Sequence, residues 1–425
     1  MKNLHKVCMV FALAAAMLVT SGMMSKDAQA SFHFRKEVNN QNLHLKFFGF
    51  SQLEARGGNG VAENNSGGDG VRFTAQRIRL GTKFYADENV FGKLFLDFNK
   101  SHDTEKAGLP EMIKDAFVGY KYNKALFTRI GMIKTPNGLD YTTPGWNLDI
   151  VERNKMEKGL VLERDMGVLV SGRYLGFGEG SVDGTEMGHE HVSKGFGYDI
   201  GVFNPAGRSA SVISDNADEI QDHFNSTDEL NDLTGDEADN KLRTGEAHTY
   251  VGRLHFDWTE LLHFETSYGV AQDAGGLGTE DYKVFDIGAT SMLGPLNLKA
   301  EYIQGTDIQG IDGWERQTYV GTIAYHFTQQ FEGVVKHYQA ESEFPDAEDL
   351  SLGNTYFGVN MFLKPLADEL TRGNKRSLQN HRLQLNYVLA SGDRQECKSR
   401  KFEEGSYGEC GKLGDAVLAQ YQYKF

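Results

Sequence analysis

The stretch VLAQYQYKF at residues 417–425 decides the fold class. Val417, Ala419, Tyr421, Tyr423 and Phe425 fall on one face of an extended strand, because side chains alternate across a strand. The residues between them, three of them polar, fall on the other face. One face therefore needs an apolar environment and the other mostly needs water. A soluble core and a lipid bilayer both meet that need, so the rest of the chain has to decide between them.

The first thirty residues predict export. Two lysines precede an apolar run over residues 7–19, and DAQA ends at Ala30 with the small residues of a cleavage site. The apolar run is too short to cross a bilayer as a helix. We therefore predict a cleaved signal peptide at 1–30 and a single mature domain at 31–425.

The mature chain is acidic. Residues 1–30 hold three of the 44 Lys and Arg residues and one of the 59 Asp and Glu residues, so the mature charge is 41 − 58 = −17. A general nucleic-acid binder needs a basic surface, so nucleic acid is excluded as a partner.

Period-two alternation recurs along the whole mature chain, which has no apolar run long enough for a membrane helix. About sixteen segments of this kind, an even number near the length that a tilted spanning strand requires, predict an all-β, transmembrane antiparallel barrel. The predicted strands are 43–55, 72–86, 89–99, 113–122, 126–134, 166–175, 196–204, 245–258, 262–273, 282–293, 296–304, 315–327, 331–341, 354–363, 379–392 and 415–425.

The connections between these segments alternate in length. Most connections after even-numbered segments are tight, with DE, NKA, TEL, GP and TQQ at their centres. Two connections after even-numbered segments, 176–195 and 364–378, are longer and depart from this pattern. Those after odd-numbered segments are mostly longer and polar. Short periplasmic turns and long outward loops are typical of an outer-membrane barrel, so the apolar environment is lipid. The C-terminal aromatic residue resembles the assembly signal of such barrels.

The apolar face of each strand identifies the opposite, water-facing side. Ile78 and Leu80 are expected to face lipid, and this turns the arginines and the lysine of 77–83 inward. In 166–175, Val168, Val170 and Tyr174 are expected to face lipid, and this turns Arg173 inward. A charge on the lipid face would cost about 2–4 kcal/mol at mid-membrane, which favours the inward placement. The predicted anion path consists of Arg77, Arg79, Lys83, Arg129, Lys134, Arg153 and Arg173. The alternative is that each cation pairs with a nearby carboxylate and only braces the wall.

The third outward connection, 135–165, is long and carries both signs of charge. We expect it to fold into the barrel and narrow it, so that mixed charge across the constriction orients solutes. A solvated outward loop with local ion pairs is the alternative.

Several short motifs together indicate a family. RIRLG at 77–81, IKDAFVGY at 113–120, RIGMIKTPNG at 129–138, VER at 151–153 and ERDMGVLVSGRY at 163–174 resemble the phosphate-selective porin O and P family. The resemblance implies a trimeric, sixteen-stranded outer-membrane channel with an inward third loop and an arginine-lined path for anions. The acidic balance of the chain is a departure from what strong phosphate selectivity requires.

Three further features have simpler interpretations. Cys397 and Cys410 lie in one polar stretch of an exported chain, which favours a disulfide over a metal site or free thiols. The acidic stretch 214–239 favours a solvated loop over a site for divalent cations that bridge to lipopolysaccharide. His189 and His191 favour a polar turn over a metal site.

The sequence contains no catalytic motif, so we predict no enzyme, no catalytic residue, no metal site and no cofactor. The predicted function is an outer-membrane diffusion channel for small hydrophilic solutes that favours anions such as phosphate or other oxyanions. Its partners are those solutes, the lipid and lipopolysaccharide of the outer membrane, and two further copies in a homotrimer. The alternatives are a non-specific or cation-preferring general porin and a structural or adhesive envelope barrel.

Overall fold

The computed structural model describes most of the segments that were predicted to be strands, together with several connections. The described residues are 33–38, 41–58, 71–86, 89–99, 112–154, 157, 159–179, 185, 194–204, 247–259, 261–272, 280–345, 348–363, 381–393 and 415–425. The predicted signal peptide, both cysteines of the predicted disulfide, His189, His191 and the acidic stretch 214–239 lie outside them.

Strands dominate the described part of the chain. They are β1 (His33–Val38), β2 (Gln41–Gly58), β3 (Val71–Ala86), β4 (Val90–Asp97), β5 (Ile113–Asn123), β6 (Leu126–Lys134), β7 (Arg164–Glu179), β8 (Lys194–Phe203), β9 (Thr249–Trp258), β10 (Leu262–Ala271), β11 (Tyr282–Leu293), β12 (Leu296–Thr306), β13 (Glu315–His326), β14 (Phe331–Glu343), β15 (Leu350–Phe362), β16 (His381–Gly392) and β17 (Ala416–Lys424). One short helix, α1 (Leu139–Thr142), and the 3₁₀ turns Gly145–Asn147 and Ile308–Gly310 complete the elements considered below.

Strands β2 to β17 form a closed barrel of sixteen strands. Each strand pairs antiparallel with the next one along the chain, and β17 pairs with β2 to close the sheet. Closure removes the unpaired edges, which lipid could not satisfy. The sixteen predicted strands are confirmed one for one. No helix among the described residues is both long enough and apolar enough to span a membrane.

The barrel wall separates an apolar outer face from a polar inner face. Along β6, the Ile130 side chain is 62% exposed whereas its neighbour Arg129 is 1% exposed. At the end of the chain, Leu418, Gln420 and Gln422 are buried and face inward, as the C-terminal alternation predicts. Because exposed large apolar side chains recur on almost every strand, the outer face suits lipid.

The predicted face of one side chain, that of Tyr174, is wrong. Tyr174, predicted to face lipid with Val168, is only 8% exposed and has a positive φ of 58°. The pairing of β7 with β8 shifts register between Gly172 and Leu175, so a bulge interrupts the alternation there. A bulge adds a residue to one strand, and simple counting by twos fails beyond it.

Strand β1 was not predicted. It pairs with residues 41–46 of β2, whereas β17 pairs with the same side of β2 further along, from Phe50 to Gly58. The backbone N–H groups of Gly49 and Phe425 donate to each other's carbonyls, so the C-terminus ends between the two pairings. The β1 strand therefore covers the part of the β2 edge that the last strand does not reach.

Candidate channel lining

The connection between β6 and β7 lies against the inner face of the wall. Strand β6 is only nine residues long and ends at Lys134. The chain then forms α1 and the turn Gly145–Asn147. Val151 N–H donates to Asn386 Oδ1 at 2.8 Å, and Asn360 Nδ2 donates to the Asp149 carbonyl at 2.9 Å. Both wall side chains are buried and face inward. We call residues 135–163 the inner loop.

Wall glycines make room for the apolar side chains of the inner loop. A Cβ at Gly305 would lie 2.8 Å from Leu160 Cδ2, and one at Gly288 would lie 2.9 Å from Leu139 Cδ2. Contacts this close are not tolerated by real Cβ atoms, so glycine at these inward positions lets the leucines reach the backbone. The inner loop therefore packs on β11 and β12 through apolar contact as well as hydrogen bonds.

Charged wall residues fix the first turn of the inner loop. The carboxylate of Glu301 accepts hydrogen bonds from the backbone N–H groups of Leu139 and Asp140, the latter at 3.1 Å. Lys336 Nζ lies 2.8 Å from Asp140 Oδ1, and both side chains are buried. The strands β12 and β14 thus hold α1 from two sides.

Titratable groups in this turn are shifted by their surroundings. Burial would raise the pKa of Asp140, but the charges of Lys336 and Arg153 outweigh it and the pKa is lowered. Burial and then the neighbouring Asp140 charge raise the pKa of Glu157 to about 8. Glu157 Oε1 also accepts a hydrogen bond from the Tyr141 N–H at 2.7 Å. One carboxylate therefore holds its charge while the other tends to hold a proton.

The middle of the inner loop is held by an aromatic contact. Trp146 lies edge-on to Phe50, with ring centroids 5.4 Å apart, and close to Phe48 and Phe95. Its carbonyl accepts hydrogen bonds from the side chains of Arg382 and Gln422. The inner loop therefore extends across the barrel from β11 and β12 to β16, β17 and β2.

The predicted anion-path residues fall into three groups, of which the first lies on β3. Arg77 Nη1 donates to Gln52 Oε1 at 2.6 Å, an uncharged partner. Arg79 Nε donates to Asp97 Oδ2 at 2.8 Å. The charges of Arg79 and Arg153, and those of the carboxylates Asp97 and Glu54, all act on the Arg77 guanidinium. Three arginines therefore lie near one another here, together with two carboxylates.

The second group braces the inner loop. Lys134 donates to the Tyr141 carbonyl and lies 4.2 Å from the centre of its ring. Arg153 donates to the carbonyls of Asp140, Tyr141 and Thr143, the second of these at 2.7 Å. Burial lowers the pKa of Arg153, although Asp140 opposes that shift. These two side chains therefore hold the backbone of the inner loop.

The third group lies within the wall. Arg173 Nη2 lies 2.8 Å from Asp199 Oδ1, and Asp199 also binds Arg253 at 2.7 Å. Arg129 lies over the Phe127 ring at 5.2 Å from its centre. For Arg173, as for Arg79 with Asp97, the geometry is that of the bracing alternative.

Lys83 also belongs to the wall. It is 8% exposed and lies 5.9 Å from the centre of the Phe48 ring. Its amino group therefore faces the inner aromatic cluster on which Trp146 packs.

Arg164 belongs to the connection 135–165 that was expected to fold inward, but it was not part of the predicted anion path. Its Nε donates to Asp115 Oδ1 at 2.8 Å, and Asp115 also binds Lys93 at 3.1 Å. Strict alternation with Met166 would turn Arg164 outward. Because Arg164 is the first residue of β7, the alternation constrains it weakly, and only the contact with Asp115 reveals its inward position.

Comparisons with known proteins agree with this architecture. The sequence model of the family described as "Phosphate-selective porin O and P" matches residues 52–342, more than half of the chain. No curated protein sequence matches the chain significantly.

Solved porins share the fold. The anion-selective porin from Comamonas acidovorans superposes with a TM-score of 0.54 at 13% identity, covering 90% of this chain and all of the other. OmpF of Salmonella typhi, in complex with daunomycin, gives 0.55 at 11% identity, with 90% and 98% of the two chains covered. In-vitro folded OmpT of Vibrio cholerae in its trimer form gives 0.52 at 10% identity, with 90% and 99% covered.

Proposed function

This chain belongs to the phosphate-selective porin O and P family and is an outer-membrane channel, and we propose that it favours small anions such as phosphate or other oxyanions. Arg77 carries the proposal. Its guanidinium contacts an uncharged amide. Two further arginines lie near it, and the nearby carboxylates of Asp97 and Glu54 are paired with Arg79 and Arg56. A guanidinium presents paired N–H donors that match the oxygens of an oxyanion.

The electrostatics of the passage support the preference. Fixed cations beside a low-dielectric wall raise the local concentration of anions, even where the protein as a whole is acidic. The inner loop contacts β11, β12 and β14 to β17, and its Trp146 also packs on β2 and β4, on either side of the β3 strand that carries Arg77 and Arg79. We therefore expect solutes that pass between the inner loop and this part of the wall to meet these arginines.

The test is the zero-current potential of the purified channel in a planar bilayer under a salt gradient. Arg77→Gln removes one cation and keeps a hydrogen-bonding side chain. A loss of about 0.5–1 kcal/mol, typical of a solvated charge interaction, would lower the ratio of anion to cation permeability roughly two- to fivefold. The matched control is Lys283→Gln, since Lys283 pairs with Asp307 and its side chain is 42% exposed.

Three outcomes separate the hypotheses. Anion preference that falls in Arg77→Gln and persists in Lys283→Gln supports the proposal, and block of chloride current by phosphate extends it to phosphate. Cation preference of the native channel would instead indicate a general porin. Folded protein that forms no channels would point to a structural or adhesive envelope barrel.

Further parts of the proposal concern the mature protein. We propose that residues 1–30 are removed and that Cys397 and Cys410 form a disulfide, both of which an intact-mass measurement of protein from the outer membrane tests. We propose a homotrimer, since one structural neighbour is described in a trimer form, and mass measurement in detergent tests it. The proposal includes passage of solutes and no enzymatic step.

A further inference from the structure

A cluster of histidine and carboxylate side chains lies inside the barrel near the turn between β9 and β10. His255 and Asp257 project inward from β9, and His263 and Glu265 project inward from β10. None of the four is more than 4% exposed. The turn after Trp258 is one of the short ones, which places the cluster at the periplasmic end of the inner face.

The geometry points to a site for a divalent transition-metal ion of the zinc class, and we propose that His255, Asp257 and His263 are its ligands. His255 Nδ1 lies 3.3 Å from Asp257 Oδ2, and His263 Nδ1 lies 3.1 Å from Asp257 Oδ1. The donor atoms of the three residues all lie within 4.8 Å of one another.

These separations suit tetrahedral coordination. Zinc binds nitrogen and oxygen at about 2.0–2.2 Å, so two donors of one tetrahedron are separated by roughly 3.3–3.5 Å. Each of the two histidine–aspartate separations is close to that value, but the two rings contact different oxygens of Asp257. Coordination through one Asp257 oxygen therefore requires small rotations of the carboxylate and of a ring, and a water molecule or solute would supply the fourth ligand, as in sites with three protein ligands.

Glu265 occupies the place of a positioning carboxylate. His263 Nε2 lies 3.0 Å from Glu265 Oε2, on the far side of the ring from Asp257. Metal-bound histidines usually donate their other N–H to a carboxylate, which fixes the tautomer and turns the second nitrogen to the metal. Arg253 Nη1 lies 3.4 Å from the same oxygen and holds the carboxylate in turn.

His263 has a carboxylate at each ring nitrogen. A metal ion at Nδ1 would leave the Nε2–H to donate to Glu265.

The neighbouring strand leaves space for the other ring. Gly197 pairs with His255, and a Cβ at Gly197 would lie 2.2 Å from His255 Nε2. Any larger residue at this position of β8 would displace the ring. Glycine here therefore allows the imidazole to lie flat against the wall beside Asp257.

The experiment is a titration of the untagged, folded protein in detergent with Zn²⁺ by calorimetry, and with Co²⁺ by visible absorption. We expect one ion per chain and the intense absorption of tetrahedral Co²⁺. His263→Ala and Asp257→Asn are each expected to abolish the stoichiometric site. Glu265→Gln is expected to weaken the affinity by about 10–100-fold while the stoichiometry stays at one.

Two controls make the result specific. His326→Gln removes a buried histidine that pairs with Glu332 at 2.9 Å elsewhere in the wall, and it should leave binding unchanged. His189→Gln with His191→Gln removes the other pair of histidines close in sequence. If His263→Ala fails to fold, His255→Gln tests the same ligand set.

The proposal is overturned if the native protein binds no stoichiometric ion. It is also overturned if the folded His263→Ala and Asp257→Asn variants bind as the native protein does, or if binding disappears only when His189 and His191 are replaced.

Discussion

Replacement of Lys336 by methionine is expected to release the inner loop from the wall. The Lys336–Asp140 pair is buried on both sides, with 1% of Lys336 and 8% of Asp140 exposed, and the charged atoms are 2.8 Å apart. Removing one partner of a buried pair typically costs about 3–5 kcal/mol, because the other charge stays buried without compensation. At about 1.4 kcal/mol for each factor of ten, the ratio of undocked to docked loop rises roughly 10²- to 4 × 10³-fold.

Hydrogen exchange measured by mass spectrometry follows this change directly. Amides of residues 135–154 should exchange faster in Lys336→Met by up to that factor, while amides of the barrel strands keep their native rates. In planar bilayers the same variant should show larger and noisier single-channel currents, because the loop no longer holds one position in the passage.

Two controls test the cause. Lys336→Met with Asp140→Asn removes both charges, so most of the docking should return, since the cost comes from the unpaired carboxylate. Lys299→Met breaks the pair between Lys299 and Asp149. Because the Lys299 side chain is 19% exposed, this change should raise the exchange rates of the loop amides less than Lys336→Met does. Native exchange rates in a folded Lys336→Met barrel, or a double variant as mobile as the single one, would refute the electrostatic account.

Two further predictions concern the pH response and the lipid face. In the docked loop the pKa of Glu157 is about 8, whereas in an undocked loop it would return to its ordinary value of 4.5. Between these two pH values the docked state keeps a proton that the undocked state releases. Docking should therefore weaken as the pH rises from about 4.5 to 8 and then level off. Glu157→Gln should abolish this slope in hydrogen exchange, and an unchanged slope would mean that another group titrates. Ile130→Lys places a charge on a side chain that is 62% exposed to lipid, and should lower the free energy of unfolding by about 2–4 kcal/mol in urea titrations of the barrel in lipid vesicles. Arg129→Met, which removes a charge from the adjacent inward position, is the control. An Ile130→Lys barrel as stable as the native one would contradict the assignment of Ile130 to the lipid face.

Most of the fold follows from local patterns. Sixteen alternating segments, mostly separated by short and long connections in turn, match strands β2 to β17, because the period of two that orients side chains is a property of each strand alone. The two exceptions have local causes that alternation does not encode. Tyr174 lies in a bulge, and β1 is a short strand of mixed polarity that pairs with the part of β2 that β17 does not reach.

The candidate site was less predictable. Alternation with apolar, lipid-facing neighbours assigned the strand arginines and Lys83 of the predicted anion path to the inner face, whereas Lys134 and Arg153 were selected for their place beside and within the connection 135–165. The partners of these residues could not be named. Arg173 binds Asp199, and Arg153 binds backbone carbonyls of its own loop. These differences decide which cations remain to meet a solute, and they depend on distances that alternation does not report.

The sequence by itself determined the barrel, its lipid and water faces and its family, since these depend on residue type at fixed spacing. The tertiary structure alone decided where the inner loop docks, because Lys336 and Asp140 are 196 residues apart and meet only when β14 takes its place in the closed sheet. It also brought His255, Asp257 and His263 together, because the register of β9 against β10 places three inward side chains around one point. Pair distances arise from strand register and closure, and no single stretch of sequence contains them.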